Sequence, residues 1–200
     1  MRRLTLSEAI AEAGSLRQIL AGGGVLGIPT DTLYGLAASP FSERGVSRIY
    51  ELKGRPAEKA MPVLVSSVDD LPLLGVEDGP FVSRLRGIWP APLTVVLAVR
   101  SPFPAASAQL SVAVRVPAHA ELRRLLGTTG PVTATSANRA GQPPATTADE
   151  VAAVFGEDLD ILIDGGPAKS VIPSTLLDAV NSPPRVLRMG AFDWPISDLC

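Results

Sequence analysis

A mixed or parallel α/β fold in a single domain is what the sequence predicts, on three observations. Apolar residues recur alternately at helical spacing and as short unbroken runs, so helices and buried strands alternate along the chain. Glycine and proline clusters punctuate the changeovers. Of the 200 residues 46% are hydrophobic and only 19% charged, which suffices for one sizeable core. No internal repeat, low-complexity tract or interdomain linker breaks the pattern, so residues 1–200 read as one domain.

In chain order, Thr5 or Ser7 caps a first helix with Leu6, Ile10, Leu16, Ile19 and Leu20 on its apolar stripe, stopped by Gly22-Gly23-Gly24. Residues 25–28 follow as a buried strand. The exit loop Pro29-Thr30-Asp31-Thr32-Leu33-Tyr34-Gly35-Leu36 carries hydroxyls, a carboxylate and a phenol at a strand end, where function concentrates. It reads equally as an Asx or Ser/Thr turn that satisfies its own backbone. Residues 42–52 form a helix with Ser42 as N-cap, Val46, Ile49 and Tyr50 on one face, and Gly54 as the stop.

Lys53, Arg55 and Lys59 crowd the exit from that helix. Pro56 pushes Arg55 towards extended backbone, where residues two apart share a side, so Lys53 and Arg55 can converge on one anion. The alternative is three solvated cations at the carbonyl-rich end of a helix. Residues 62–66 and 93–99 are core strands, with helical turns at 68–74 and 81–88 between them and Trp89-Pro90-Ala91-Pro92 as a rigid corner. Residues 111–117 carry Arg115 into an otherwise apolar sheet; pointing inward it needs an anionic partner, pointing outward it needs none.

A short helix at 121–126 and a strand at 132–134 lead into Thr135-Ser136-Ala137-Asn138-Arg139-Ala140-Gly141. Ser136 and Asn138, two apart, can address one ligand as neutral donors, or serve the turn itself. A helix over 147–155 and a strand over 161–163 end in Asp164-Gly165-Gly166, and the chain closes through PSTLLD at 173–178 and VLRMG at 186–190.

Several classes drop out. The net charge of −2 provides no overall basic field for nucleic acid, so any anion site is a local concentration of cations. The single cysteine, Cys200, allows neither an intrachain disulfide nor a cysteine metal cluster, as expected for a reducing compartment. No stretch is long and apolar enough to span a bilayer and no signal core follows the first arginines, so a cytoplasmic protein without membrane contact is expected. Gly22, Gly24 and Gly27 match G-x-G-x-x-G, but they follow a helix and enter a strand, the reverse of the dinucleotide-binding context. There is no G-K-[ST], no H-E-x-x-H and no evident metal site; His119, near a helix start, reads as structural.

Four motifs nevertheless stand in one order: PTDTLYGL, LKGRP, TSANRAG after VAVRVP, and PSTLLD followed by VLRMG. Together, over roughly residues 5–190, they resemble the YrdC-like family of threonylcarbamoyl-AMP synthases. The resemblance implies a twisted mixed parallel/antiparallel sheet with flanking helices around a positively lined cavity, the YrdC-like, RibB-type fold. It implies a nucleotidyltransferase that joins L-threonine, bicarbonate or CO2, and ATP carrying Mg2+ into threonylcarbamoyl-adenylate with release of pyrophosphate. The product would pass to a threonylcarbamoyl transferase complex that makes t6A in tRNA.

By the same resemblance, the K-x-R and S-x-N signature falls on Lys53, Arg55, Ser136 and Asn138 as catalytic residues. Thr32, Ser174 and Ser111 would hold threonine, and Arg55, Lys59, Arg115, Ser136, Asn138, Thr146 and Arg188 the nucleotide, with no metal ligand among protein side chains. Attack at a phosphate asks the protein for positioning and neutralised charge rather than a nucleophile, which suits a chain without a catalytic triad. The chain departs from a common family form at Lys59-Ala60, where many relatives have Asn-Pro, and at Ser66-Ser67, where many have a histidine. The extra C-terminal domain of longer relatives is not expected.

Two other readings compete. A non-catalytic module binding double-stranded RNA, for translation or ribosome maturation, has little to work with at a charge of −2 and 4% aromatic residues, so any RNA binding should be weak. A carbamoyl-adenylate-forming relative of hydrogenase maturation would normally be a longer chain with zinc-finger cysteines.

Overall fold

The strands sort into two sheets rather than one. The computed structural model describes residues 1–54 and 60–194. In chain order these form β1 (Arg2–Thr5), α1 (Leu6–Ala11), α2 (Ala13–Ala21), β2 (Leu26–Ile28), β3 (Gly35–Ala37), α3 (Glu43–Lys53), β4 (Val63–Leu64), α4 (Pro80–Ile88), β5 (Leu93–Ala98), β6 (Ser111–Arg115), α5 (Ala120–Thr129), β7 (Val132–Thr133), β8 (Thr135–Ser136), α6 (Ala148–Phe155), β9 (Ile161–Asp164), β10 (Thr175–Asp178) and β11 (Arg185–Arg188). A five-stranded sheet has the order β1-β9-β2-β3-β8, and a six-stranded sheet the order β11-β10-β5-β6-β4-β7. The pairs β1/β9, β2/β9, β5/β10 and β4/β6 are parallel and the others antiparallel, so the mixed pairing expected from the resemblance is present in both sheets.

Local chemistry explains most boundaries. Thr5 caps α1 through a reciprocal capping box with Glu8. The single first helix expected from the apolar stripe is two, broken at Glu12, whose ψ of 14° leaves the helical range and whose carboxylate pairs with Arg2. Ser42 accepts from Gly45 N–H at 3.2 Å at the start of α3, and Gly54 ends it at φ 59°, as the sequence implies. The Trp89–Pro92 corner is pinned by the indole N–H of Trp89 donating to Leu93 O at 2.8 Å. His119 caps α5 by accepting from Leu122 N–H, in line with its structural reading.

Sheet register puts two different surfaces on the six-stranded sheet. Leu177, Val95, Val114 and Val63 lie in register across β10, β5, β6 and β4, and all are fully buried in the main core. Because side chains alternate along a strand, the residues one step away face the other side: Leu176 beside Thr94, Ala113 beside Val96, and Leu64 beside Arg115. That second surface is where polar groups enter.

One short crossing ties the sheets together. Val132–Thr133 pairs with β4 in the six-stranded sheet, and Thr135–Ser136 pairs with β3 in the five-stranded one, with only Ala134 between. A second core, under α1, α2 and α5, holds Leu4, Leu16, Leu20, Ile28, Leu122, Leu126 and Ile163.

Candidate active site

At this crossing the two sheets diverge around a cavity of about 610 Å³, within the range of small-molecule sites. The side of the five-stranded sheet contributes Thr30, Thr32, Tyr34, Gly35, Thr135 and Ser136; the six-stranded sheet contributes Leu64, Thr94, Ala113, Arg115, Leu176 and Arg188, with Pro173 and Ser174 just ahead of β10. Strand ends and exit loops supply most of the polar wall, as expected where a rigid scaffold presents mobile chemistry.

Arg115 points inward and has found its anion. It is 7% exposed, and its Nη1 lies 3.1 Å from Asp31 Oδ1 and 3.4 Å from Thr32 Oγ1. Asp31 Oδ2 accepts from Ala118 N–H at 3.0 Å, which fixes the exit loop against the end of β6. Asp31 Oδ1 has no aligned donor, so its tie to Arg115 is ionic rather than a directed hydrogen bond. Burial pushes the Arg115 guanidinium down from its ordinary value, Asp31 opposes that, and the nearby Arg188 adds to it. Two guanidiniums near one carboxylate leave this part of the wall cationic. Arg188 also donates from Nη2 to Ser174 O at 2.9 Å.

The exit loop is internally braced. Thr32 N–H donates to Thr30 Oγ1 at 3.1 Å, and Thr30 Oγ1 donates to Leu33 O at 2.7 Å, so part of this hydroxyl set does serve the turn. Thr32, 6% exposed, lines the cavity, its hydroxyl 3.2 Å from Thr30 Oγ1 and 3.4 Å from Arg115 Nη1. Tyr34 is an anchor: its hydroxyl donates to Gly166 O at 2.7 Å and accepts from Gly165 N–H at 3.1 Å, and burial pushes the phenol pKa up.

Lys53 is not on the cavity wall. It is 5% exposed, and its ammonium donates to Ser136 O, to Asn138 O at 2.9 Å and to Asn138 Oδ1 at 3.2 Å. Asn138 in turn accepts from Ser136 Oγ at 2.6 Å and donates from Nδ2 to Gln142 O at 2.7 Å and Arg139 O at 3.1 Å. The signature residues thus meet, but as a clamp: Lys53 grips the backbone of the 136–138 loop, Asn138 closes its turn, and of the three only Ser136 lines the cavity. Arg55 and Lys59, the other cations of that stretch, lie outside the described residues.

The remaining candidates divide. Ser174, with Arg188, is on the wall. Thr146 is off it, donating through N–H and Oγ1 to Glu150 Oε2 at the start of α6, and Ser111 sits at the far end of β6 opposite Ala98. Ser66 and Ser67 bind Asp70 and cap the turn Val68–Leu74, so from this strand it is Leu64 that meets the cavity. Sequence reasoning gave no role to Thr94 or Asp31; a lone hydroxyl in an apolar strand and a carboxylate able to satisfy Arg115 were the available signals.

Ser174 owes its place to Gly190. A Cβ on Gly190 would come within 2.3 Å of Pro173 O and 2.5 Å of Ser174 C, and the Gly190 N–H donates to Thr175 Oγ1 at 2.9 Å. This close backbone approach brings the PST and RMG segments together in space. Gly190→Ala is therefore expected to push the 173–175 backbone outward and Ser174 away from its place on the wall, lowering stability by about 2 kcal/mol and Tm by roughly 4–8 °C. Thermal unfolding checks it; an unchanged Tm would mean the loop yields without strain.

Among the described residues no group of three His, Cys, Asp or Glu side chains is placed to hold a metal ion. The family model of the Sua5/YciO/YrdC proteins, described as telomere recombination, matches residues 18–190. A threonylcarbamoyl-AMP synthase of Pyrococcus abyssi is 36% identical over 182 residues, which are 89% of this chain and 52% of that protein, so the chain spans about half of that relative's length. A Pseudomonas aeruginosa protein of the same name is 36% identical over 168 residues, covering 82% of this chain and 90% of the relative. The structure of Pyrococcus abyssi Sua5 complexed with L-threonine is similar with a TM-score of 0.82 at 34% identity, over 94% of this chain and 56% of that one.

Proposed function

Because this chain belongs to the Sua5/YciO/YrdC family, we propose that its cavity joins L-threonine, bicarbonate or CO2, and ATP into threonylcarbamoyl-adenylate, releasing pyrophosphate. The observation that carries the reading is the arrangement of Arg115, Arg188, Thr32, Ser136 and Ser174 around one cavity between the two sheets. It offers cationic groups for carboxylate or phosphate oxygens and hydroxyls for an amino acid, without a protein nucleophile.

The chemistry needs no more than that. The neutral threonine amine adds to CO2 and gives up a proton to solvent to become a carbamate, a carbamate oxygen bonds to the α-phosphorus of ATP, and the bond to the leaving pyrophosphate breaks. Negative charge spreads over phosphate oxygens during that displacement, and preorganised cations in a water-poor cavity stabilise it. ATP enters with its Mg2+ as part of the substrate. Thr32 and Ser174 hold threonine; Arg188 and Ser136, with Arg55 and Lys59, hold the nucleotide; Arg115 anchors the anionic centre between them. Lys53 and Asn138 act through the placement of Ser136. The labile product is then consumed by an enzyme that transfers threonylcarbamoyl to tRNA, and a cytoplasmic location fits that hand-over. No helix among the described residues is long and apolar enough to cross a membrane.

Pyrophosphate release with ATP and bicarbonate, run with threonine, serine and valine at matched concentration, tests the reading. Valine should fail, because buried hydroxyls left without a partner cost about 1–3 kcal/mol each. Serine, lacking only a methyl worth about 1 kcal/mol, should be a poor but measurable substrate. Release independent of any amino acid would overturn the proposal.

A further inference from the structure

Thr94 is the one hydroxyl in the strand Leu93–Ala98, and it lies on the cavity face at 5% exposure. A β-branched residue suits a central strand, but a hydroxyl removed from water needs a partner. That partner is Ser174 Oγ, 2.7 Å away and itself on the cavity wall. The main chain of Ser174 is fixed by other means: Arg188 holds its carbonyl, Gly190 presses against it, and the register of Leu176 with Thr94 sets β10 beside β5. What Thr94 adds is the direction of the side-chain hydroxyl.

We infer that Thr94 is a positioning residue that orients Ser174, and that the two hydroxyls act as one reader of the hydroxyl of the amino-acid substrate. Two hydroxyls joined by one hydrogen bond retain a single free proton and several lone pairs, whichever of them donates. Such a pair can both give and accept, which complements another hydroxyl; a carboxylate, which only accepts, is better met by Arg115 and Arg188. Leu176 and Pro173 beside the pair offer an apolar surface for a methyl group. The inference rests on the proposed threonine-dependent activity and adds to it the residue that sets its selectivity.

Thr94→Val keeps the β-branched shape and removes the hydroxyl, and Thr94→Ser restores it without the methyl. With Thr94→Val the KM for threonine should rise about tenfold, corresponding to about 1.4 kcal/mol, while the KM for ATP and the Tm stay near those of the unmodified protein. The preference for threonine over valine should shrink by the same factor. Thr94→Ser should recover most of the loss. Ser174→Ala should reproduce the rise, and the double variant Thr94→Val with Ser174→Ala should be no worse than the poorer single one, as coupled groups require. An unmoved threonine KM in Thr94→Val, an equal rise in the ATP KM, no rescue by serine, or additive losses in the double variant would each overturn the inference while leaving threonine-dependent turnover standing. Turnover by the unmodified protein that ignores threonine would remove the proposed function, and this inference with it.

Discussion

Lys53→Ala should lose both stability and at least a hundredfold in adenylation rate. The ammonium is buried and donates to two backbone carbonyls and an amide oxygen of the 136–138 loop. Removing it strands those acceptors, at a cost of about 3 kcal/mol in total, which for a chain of this size lowers Tm by roughly 6–12 °C. The catalytic loss follows from displacement of Ser136, since a shift of about 1 Å in a positioning group can cost on the order of a hundredfold. Thermal unfolding, paired with pyrophosphate release per folded molecule, separates the two effects. On spacing alone Lys53 either converges with Arg55 on an anion or lies solvated at the end of the helix, and neither role makes its loss costly to folding. An unchanged Tm with turnover abolished would restore the anion role and remove the clamp.

Arg115→Met is expected to be more damaging still. It leaves the Asp31 carboxylate buried without its cation, and breaking a buried pair from one side typically costs about 3–5 kcal/mol. Asp31→Asn added to Arg115→Met removes the orphaned charge, so the double variant should regain much of the lost stability. Activity should not return in either, because the cationic centre of the wall is gone. Chemical denaturation of the two single variants and the double one, alongside pyrophosphate release, decides the matter. A double variant as unstable as Arg115→Met would show that the pair is not the source of the loss, and a double variant that turns over normally would take Arg115 out of the site.

Much of the fold was legible because its local signals agree. Ser42 and Gly54 bracket α3 as capping chemistry requires, the turn Val68–Leu74 occupies its expected residues, and the runs expected as strands at 93–99 and 161–163 form β5 and β9 to within one residue. What the sequence hid depends on distant partners. No element is expected over β1 because Arg2 and Arg3 break any apolar pattern in a four-residue strand that is held by its pairing with β9. β3 and β8 are three and two residues long, too short to show periodicity, and the division into two sheets turns on Ala134, a position with no local signature.

The site was partly legible for a related reason. Thr32, Ser136, Ser174, Arg115 and Arg188 could be named from motifs and do share the cavity. Spacing pairs Lys53 with Arg55 and Ser136 with Asn138, yet it does not say whether paired groups face a ligand or the protein's own backbone. The ammonium of Lys53 meets the carbonyls of Ser136 and Asn138, and carbonyls carry no sequence mark. Thr94 went unnoticed because a β-branched residue in a β-run needs no explanation until its hydroxyl is seen against Ser174.

The pairing of β1 with β9 also has a consequence for the order of events during synthesis. Arg3 and Asp164, joined by a 2.7 Å ion pair across these strands, are 161 positions apart in sequence. At a translation rate of ~5–20 residues per second, a ribosome needs roughly ten to thirty seconds to make the partner after the first strand has emerged. β1 is thus among the last strands to be joined to a sheet, and until β9 appears both of its edges are open. Its two arginines are the kind of residue that keeps an unpaired edge from recruiting other chains, and in the finished fold the same side chains are redirected to Glu12, Asp149 and Asp164.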